Sequence, residues 1–211
     1  MTSPRTSTDI RAAGYHDGPQ IAAVLAAAFL DGDLASWLVP DRQARRRAYR
    51  PYFEMLTADA LLHGRVDITG DGHGVALWYV RGDGRAVPPI PHYRQRLGDI
   101  FADYVDGFHA LDDATEHHHP PGPPHHYLQH LAVHPDRQRL GHGSRLLEHH
   151  HRLADGQDLP CYLEATGERN QALYERHGYR PRTPFPLGLG APLLFPMWRL
   201  PAGRSTSGGE R

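Results

Sequence analysis

The residues best placed to do chemistry lie between His125 and Ser144, in the run H-H-Y-L-Q-H-L-A-V-H-P-D-R-Q-R-L-G-H-G-S. Its second half is Gln138-Arg139-Leu140-Gly141-His142-Gly143-Ser144, followed by Leu146, Leu147 and Leu153 at helical spacing. A helix start leaves its first backbone N–H groups without partners and carries partial positive charge. Gly141 and Gly143 let an anion approach that backbone closely, so the turn reads as a phosphate cradle. A nucleotide P-loop is excluded, because it needs a lysine and all 23 basic residues here are arginine. A dinucleotide fingerprint is excluded too, since G-x-G-x-x-G is incomplete. The pattern that remains is Q-x-x-G-x-G.

Together with L-P-C-Y-L-E-A-T-G-E-R-N-Q-A-L-Y-E-R-H-G-Y, from Leu159 to Tyr179, that pattern resembles the GCN5-related N-acetyltransferases (GNAT). The shared features are an R/Q-x-x-G-x-G/A turn and, downstream, a strand followed by an N-x-x-x-Y helix. Within the family, L-E-x-x-x-x-R-N-x-x-x-Y-E-R-x-G is most similar to the puromycin N-acetyltransferase-like branch. The resemblance implies an α/β fold, a mixed and mostly antiparallel twisted sheet of about seven strands flanked by helices on both faces. Acetyl-CoA would enter the splay between the fourth and fifth strands. The implied activity is acetyl transfer to a primary amine of a small molecule, an antibiotic or aminonucleoside, by direct attack in a ternary complex. The rival readings are a non-catalytic acyl-CoA-binding domain, against which the intact N-x-x-x-Y argues, and a protein N-acetyltransferase.

Residue by residue, the resemblance implies that Gln138, Arg139, Leu140, Gly141, His142, Gly143 and Ser144 grip the cofactor pyrophosphate. The backbone of Leu131, Ala132 and Val133 would pair with the pantetheine arm. Asn170 would contact that arm or its phosphates, and Tyr174, four residues on along one helix face, would donate a proton to the departing sulfur. A phenol with a pKa near ~10 is protonated at neutral pH, which suits a donor. The alternatives to these roles are a core tyrosine for Tyr174 and, compatibly with its contact role, a helix cap for Asn170. The base is open between Glu164 and His130: Glu164 can also bind a cation or pair with an arginine, and His130 titrates near neutrality. Phe29, Trp37, Tyr52 and Trp78 are candidate acceptor-pocket aromatics.

The elements that must position these residues follow from periodicity. Tyr127, Leu131 and Val133 are expected on one face of a buried strand and Leu128 and Ala132 on the other, which points His130 away from Leu131 and Val133. Asp17–Leu30 reads as a helix with Pro19 in its first turn, and Asp41 caps a second helical region that Pro51 is expected to kink or split. Arg65–Thr69 and Gly74–Val80 read as a hairpin. His92–Ala110 reads as one helix, and Leu111–Pro124 as a linker. Strand Pro160–Thr166, helix Glu168–His177 and a final strand pair, Tyr179–Thr183 and Leu193–Leu200, complete the chain. Residues 1–8 and 201–211 are expected to be disordered around one domain, 9–200.

Composition narrows the class. The 211 residues carry a formal net charge of −1 and a pI near 7.0, so no basic footprint suggests nucleic acid. No apolar run spans a bilayer and no signal peptide is seen, so a cytoplasmic monomer or homodimer without membrane attachment is expected. Cys161 is the one cysteine. The 17 histidines, including His117–His119, His125–His126 and His149–His151, are expected to be solvated rather than a metal site. Arg42, Arg45, Arg46 and Arg47 read as a solvated helix face.

Overall fold

A computed structural model describes residues 9–82, 89–188 and 190–203. Residues 1–8 and residues 204–211 of the expected disordered tail 201–211 therefore lie outside the described residues, as do residues 83–88. The chain order is β1 (Ile10–Ala12), α1 (Gly18–Ala28), α2 (Asp33–Leu38), α3 (Arg42–His63), β2 (Arg65–Thr69), β3 (Gly74–Arg81), α4 (Tyr93–Phe101) and α5 (Val105–His118). It continues through β4 (His125–Val133), α6 (His142–Gly156), β5 (Cys161–Thr166), α7 (Glu168–Arg176), β6 (Arg180–Pro181), β7 (Phe185–Pro186) and β8 (Leu193–Arg199). Strand order is β1-β2-β3-β4-β5-β8-β6, with β7 also on β8. Every pairing is antiparallel except β4 with β5. The sheet class is the one expected.

Both faces of β3 are buried, and its alternation divides the core. Val75, Leu77 and Tyr79 pack with Ile21, Leu25, Phe53 and Phe101 beneath α1, α3 and α4. Ala76 and Trp78 pack with Leu146, Leu147 and Leu163 beneath α6 and α7. The β2–β3 turn closes on Thr69, whose Oγ1 accepts from the N–H groups of His73 (3.2 Å) and Gly74 (2.9 Å). Asp41 caps α3 by accepting from the Gln43 N–H at 2.8 Å.

Several expectations are corrected. Helix α3 runs unbroken through Pro51; buried Tyr49, Tyr52, Phe53 and Leu56 on its inner face outweigh one missing hydrogen bond. Arg45 is buried rather than solvated, donating to the Leu30, Val39 and Pro40 carbonyls. The expected helix His92–Ala110 breaks at Ala102, which takes φ 45°. The expected linker is largely α5, which Phe108 and Leu111 anchor in the core.

The histidines are corrected as well. His125, His126, His150 and His151 are buried. His150 stacks on Trp78 at 3.8 Å and joins Asp67 (3.0 Å) to His126 (2.9 Å), whose other nitrogen meets Gln157 at 2.9 Å. Neutral imidazole is flat, half apolar and able to donate and accept, so it fills a core position when both nitrogens find partners.

Candidate functional site

The site forms where β4 and β5 part. Their register holds only at His126–Cys161 and Tyr127–Tyr162. Beyond it, β4 runs on to Val133 and β5 to Thr166 without pairing to each other, so the β5-side edge of β4 has free backbone groups. On its other edge β4 carries a bulge. Trp78 pairs with Leu128 and Leu77 with His130, leaving Gln129 as the extra residue. The bulge overturns the expected parity: Leu128 and Leu131 both lie on the α6 face, and Ala132 on the α1 face. His130 lies with Ala132, edge-on to Phe29 and Phe53 at 5.5 and 5.7 Å, so it does point away from Leu131.

The turn after β4 is shaped before any ligand arrives. Arg139 takes φ 64° and Gly141 φ 84°. The Arg145 side chain donates to the Leu140 and Gly141 carbonyls, occupying those acceptors within the turn. The Gln138 amide donates to the Val133 carbonyl at 3.3 Å, tying the turn to the strand end. Gly141 caps α6 without a side-chain acceptor, so the first N–H groups of His142, Gly143 and Ser144 remain available. The His142 side chain is buried toward the β2–β3 turn, 3.6 Å from Asp71, so only its backbone can serve the turn. A Cβ on Gly143 would meet Leu131, Val133 and Leu173 at 3.8–3.9 Å, facing the protein.

A cavity of about 1300 Å³ runs from this turn through the gap and under α1, α3 and α5. Gln138, Arg139, Gly141 and Ser144 line one end, with Asn170 and Tyr174 of α7. The Asn170 amide donates to the Thr166 carbonyl (2.8 Å) and hydroxyl (3.1 Å), fixing α7 to the end of β5. Tyr174 packs beside Tyr179 at 5.7 Å, and burial alone raises its phenol pKa, so it is protonated at neutral pH.

The other end is aromatic: Phe29, Tyr52, Phe53, Tyr93, Phe108 and Tyr127 line it. Four buried polar atoms of cavity-lining residues have no hydrogen-bond partner: Gln129 Oε1, His130 Nδ1, His142 Nδ1 and Glu164 Oε1. Burial raises the Glu164 pKa, and the nearby Tyr162 and Tyr127 hydroxyls only partly offset it. Neither Glu164 Oε1 nor the Tyr162 hydroxyl closes a hydrogen bond. Burial lowers the His130 pKa to about 4, leaving the imidazole neutral.

Of the proposed pocket aromatics, Phe29 and Tyr52 line this cavity. Trp37 instead packs beside Phe185 and Leu187, and Trp78 lies across the sheet against His150. Sequence reasoning missed Gln129, Tyr127 and Asp112. Asp112 carries no signal of its own, lying one residue after Leu111 at the start of the polar run D-D-A-T-E-H-H-H.

Residues 97–181 match the family model described as an acetyltransferase (GNAT) domain. Over that segment the chain is similar to a GNAT acetyltransferase domain, and the chain is an acetyltransferase. Among solved structures, the chain is similar to one from Corynebacterium glutamicum described as histone acetyltransferase HPA2 and related acetyltransferase. The identity is 29%, with 97% of this chain and 99% of that chain covered and a TM-score of 0.71. It shares its fold with arylalkylamine N-acetyltransferase 2 from Aedes aegypti at 16% identity, covering 91% and 99% of the two chains with a TM-score of 0.59. It also shares it with the ribosomal-protein-S18-alanine N-acetyltransferase from Escherichia coli at 14% identity, covering 96% and 99% with a TM-score of 0.52. Among the described residues no group of three or more His, Cys, Asp or Glu is arranged to hold a metal ion, and no helix is long and apolar enough to cross a membrane.

Proposed function

We propose that this acetyltransferase uses acetyl-CoA to acetylate a primary amine of a small molecule, both substrates being bound at once. The observation that carries this reading is one continuous cavity with two unlike ends, joined through the gap between β4 and β5. The turn end fits a diphosphate, with free N–H groups at a helix start and Arg139 beside them. The unpaired edge of β4 at Leu131–Val133 fits an amide-bearing arm laid alongside it like a strand. Bound acetyl-CoA would supply an activated acyl group.

The other steps fall to side chains. Gln129 Oε1 and Glu164 Oε1 are acceptors without donors, and neutral His130 Nδ1 beside them is unpartnered, a set that suits an amine. We assign Glu164 as the proton acceptor, because its raised pKa makes it a stronger base than an exposed glutamate. His130, held neutral by an apolar setting, is assigned to orientation. Tyr174 Oη keeps its proton at neutral pH and is assigned as the proton donor. Phe29 and Tyr52 hold the body of the acceptor.

The puromycin-like L-E-x-x-x-x-R-N pattern supports an aminonucleoside or another antibiotic-like amine, and the aromatic lining supports a ring-bearing acceptor. An acceptor end lined by buried aromatic side chains favours a small molecule over a protein N-terminus. A cytoplasmic setting belongs to the same proposal, supported by the buried, unpaired Cys161. The test is calorimetric titration with acetyl-CoA, then thiol release with a panel of primary amines that includes puromycin. Binding plus amine-dependent release is expected, and Tyr174→Phe should bind acetyl-CoA but release thiol more slowly. Binding without release on any amine refutes amine acetylation, and absence of binding refutes the assignment of the Gln138–Ser144 turn.

A further inference from the structure

We infer that the acceptor carries a second, non-reacting cation, and that Asp112 on α5 is the residue that selects for it. The inference rests on the amine-acetylation reading and goes beyond it to the class of amine. Asp112 lines the aromatic end of the cavity together with Tyr52, Tyr93, Phe108 and Thr115. No ion pair reaches its carboxylate among the described residues: Arg94, whose charge acts on it, is bonded to Asp113 at 3.1 Å. Burial accordingly lifts the Asp112 pKa to about 6, against the opposing pull of the Tyr93 hydroxyl and of His109. Above that pH it is a carboxylate in an aromatic wall without a counter-ion.

A half-buried, unpaired carboxylate is costly unless something cationic meets it. The surroundings suit an alkylammonium in particular. Tyr52 and Phe108 stand 5.3 Å apart, Phe101 stacks behind Phe108 at 3.7 Å, and ring faces attract a cation already held by a carboxylate. The second, independent observation lies in the same cavity. Glu164 Oε1, a buried atom on β5, has no partner, and His130 Nδ1 has none. One cavity therefore offers two separate anionic groups, one on β5 among amine acceptors and one on α5 among aromatic rings. The formal match is a diamine: one nitrogen neutral and reacting beside Glu164, the other charged and held by Asp112.

The experiment compares matched acceptors by thiol release from acetyl-CoA: para-xylylenediamine against benzylamine, and pentamethylenediamine against pentylamine. Wild type should favour at least one diamine over its monoamine by about tenfold or more in kcat/KM, the size of one desolvated ion pair. Asp112→Asn, which keeps shape and loses charge, should bring that ratio down by about tenfold. Asp106→Asn, on the exposed side of the same helix, should leave it unchanged. A ratio below about threefold for both pairs in wild type overturns the inference while leaving amine acetylation standing, and so does a ratio that survives in Asp112→Asn. If no amine releases thiol, the acetylation reading fails and calorimetry decides the inference alone. Tighter binding of para-xylylenediamine than of benzylamine, lost in Asp112→Asn, upholds it, and equal binding overturns it.

Discussion

The two glycines of the turn look equivalent in sequence, and the structure gives them separable roles. Gly141 adopts φ 84°, ψ 2°, a left-handed conformation that costs a residue with a Cβ about 1–2 kcal/mol. Gly141→Ala must meet that cost somewhere. If the turn keeps its shape, the cost appears as lost stability, a Tm lower by about 2–8 °C for a chain of this size. If the turn relaxes, the cost appears on acetyl-CoA binding, as a Kd weaker by about 5- to 30-fold. The two losses should sum to about 1–2 kcal/mol. Gly143 has no positive φ, and its new Cβ would sit in ordinary contact at 3.8–3.9 Å. Alanine in the first turn of α6 should therefore stabilise the protein by up to about 1 kcal/mol and leave acetyl-CoA affinity within about threefold. Thermal melts and calorimetry on both variants separate the cases. The reasoning is refuted if Gly143→Ala weakens binding as much as Gly141→Ala, or if Gly141→Ala alters neither Tm nor Kd.

Two further outcomes follow from buried titratable groups. Glu164 works as a base only when ionised and burial raises its pKa, so kcat/KM should rise with pH along a limb displaced above the usual glutamate range. Glu164→Gln should remove that limb and lower the rate by about 100-fold or more; a variant with an intact limb takes Glu164 out of proton transfer. His151, bonded to the Tyr179 hydroxyl at 3.1 Å, has its pKa lowered to about 3, first by burial and then by Arg199. The unfolded chain binds a proton there below about pH 6.5 and the folded chain does not, so stability is present above that pH and lost below it. By pH 5 this one residue should cost about 2 kcal/mol. Denaturant melts from pH 7 to 5 should show His151→Gln, which retains a hydrogen-bonding group, losing about one proton less on this slope; an unchanged slope contradicts the assignment.

The parts of the molecule legible in sequence are those with short, self-contained causes. The turn at Gly141–Gly143, the cap at Asp41 and the hairpin at Thr69–Gly74 each depend on a few consecutive residues, and each forms where expected. Helix α5 was illegible for the opposite reason. Its polar run D-D-A-T-E-H-H-H has no stripe of its own, and it is helical because Phe108 and Leu111 reach hydrophobic clusters built by distant segments. Asp112 went unseen with it. The buried histidines were misread because type alone suggests solvent, whereas the Asp67–His150–His126–Gln157 chain supplies partners that become neighbours only in the folded sheet.

The bulge at Gln129 is the sharpest case, because it decides which side chains face the site. Alternation assumes one residue per step, so an unbulged strand would put residues 127, 129, 131 and 133 together and send His130 under α6. One unpaired residue reverses that assignment from 130 onward, while the pairing of β4 with β3 continues on both sides of it. Leu131 then packs on the α6 face near Gly143, and His130 turns to the aromatic rings of Phe29 and Phe53. The extra residue also lies just past Tyr127, the last residue of β4 registered with β5. A bulge adds local twist to its strand, so the same irregularity that supplies Gln129 and His130 to the cavity coincides with the place where the two strands part.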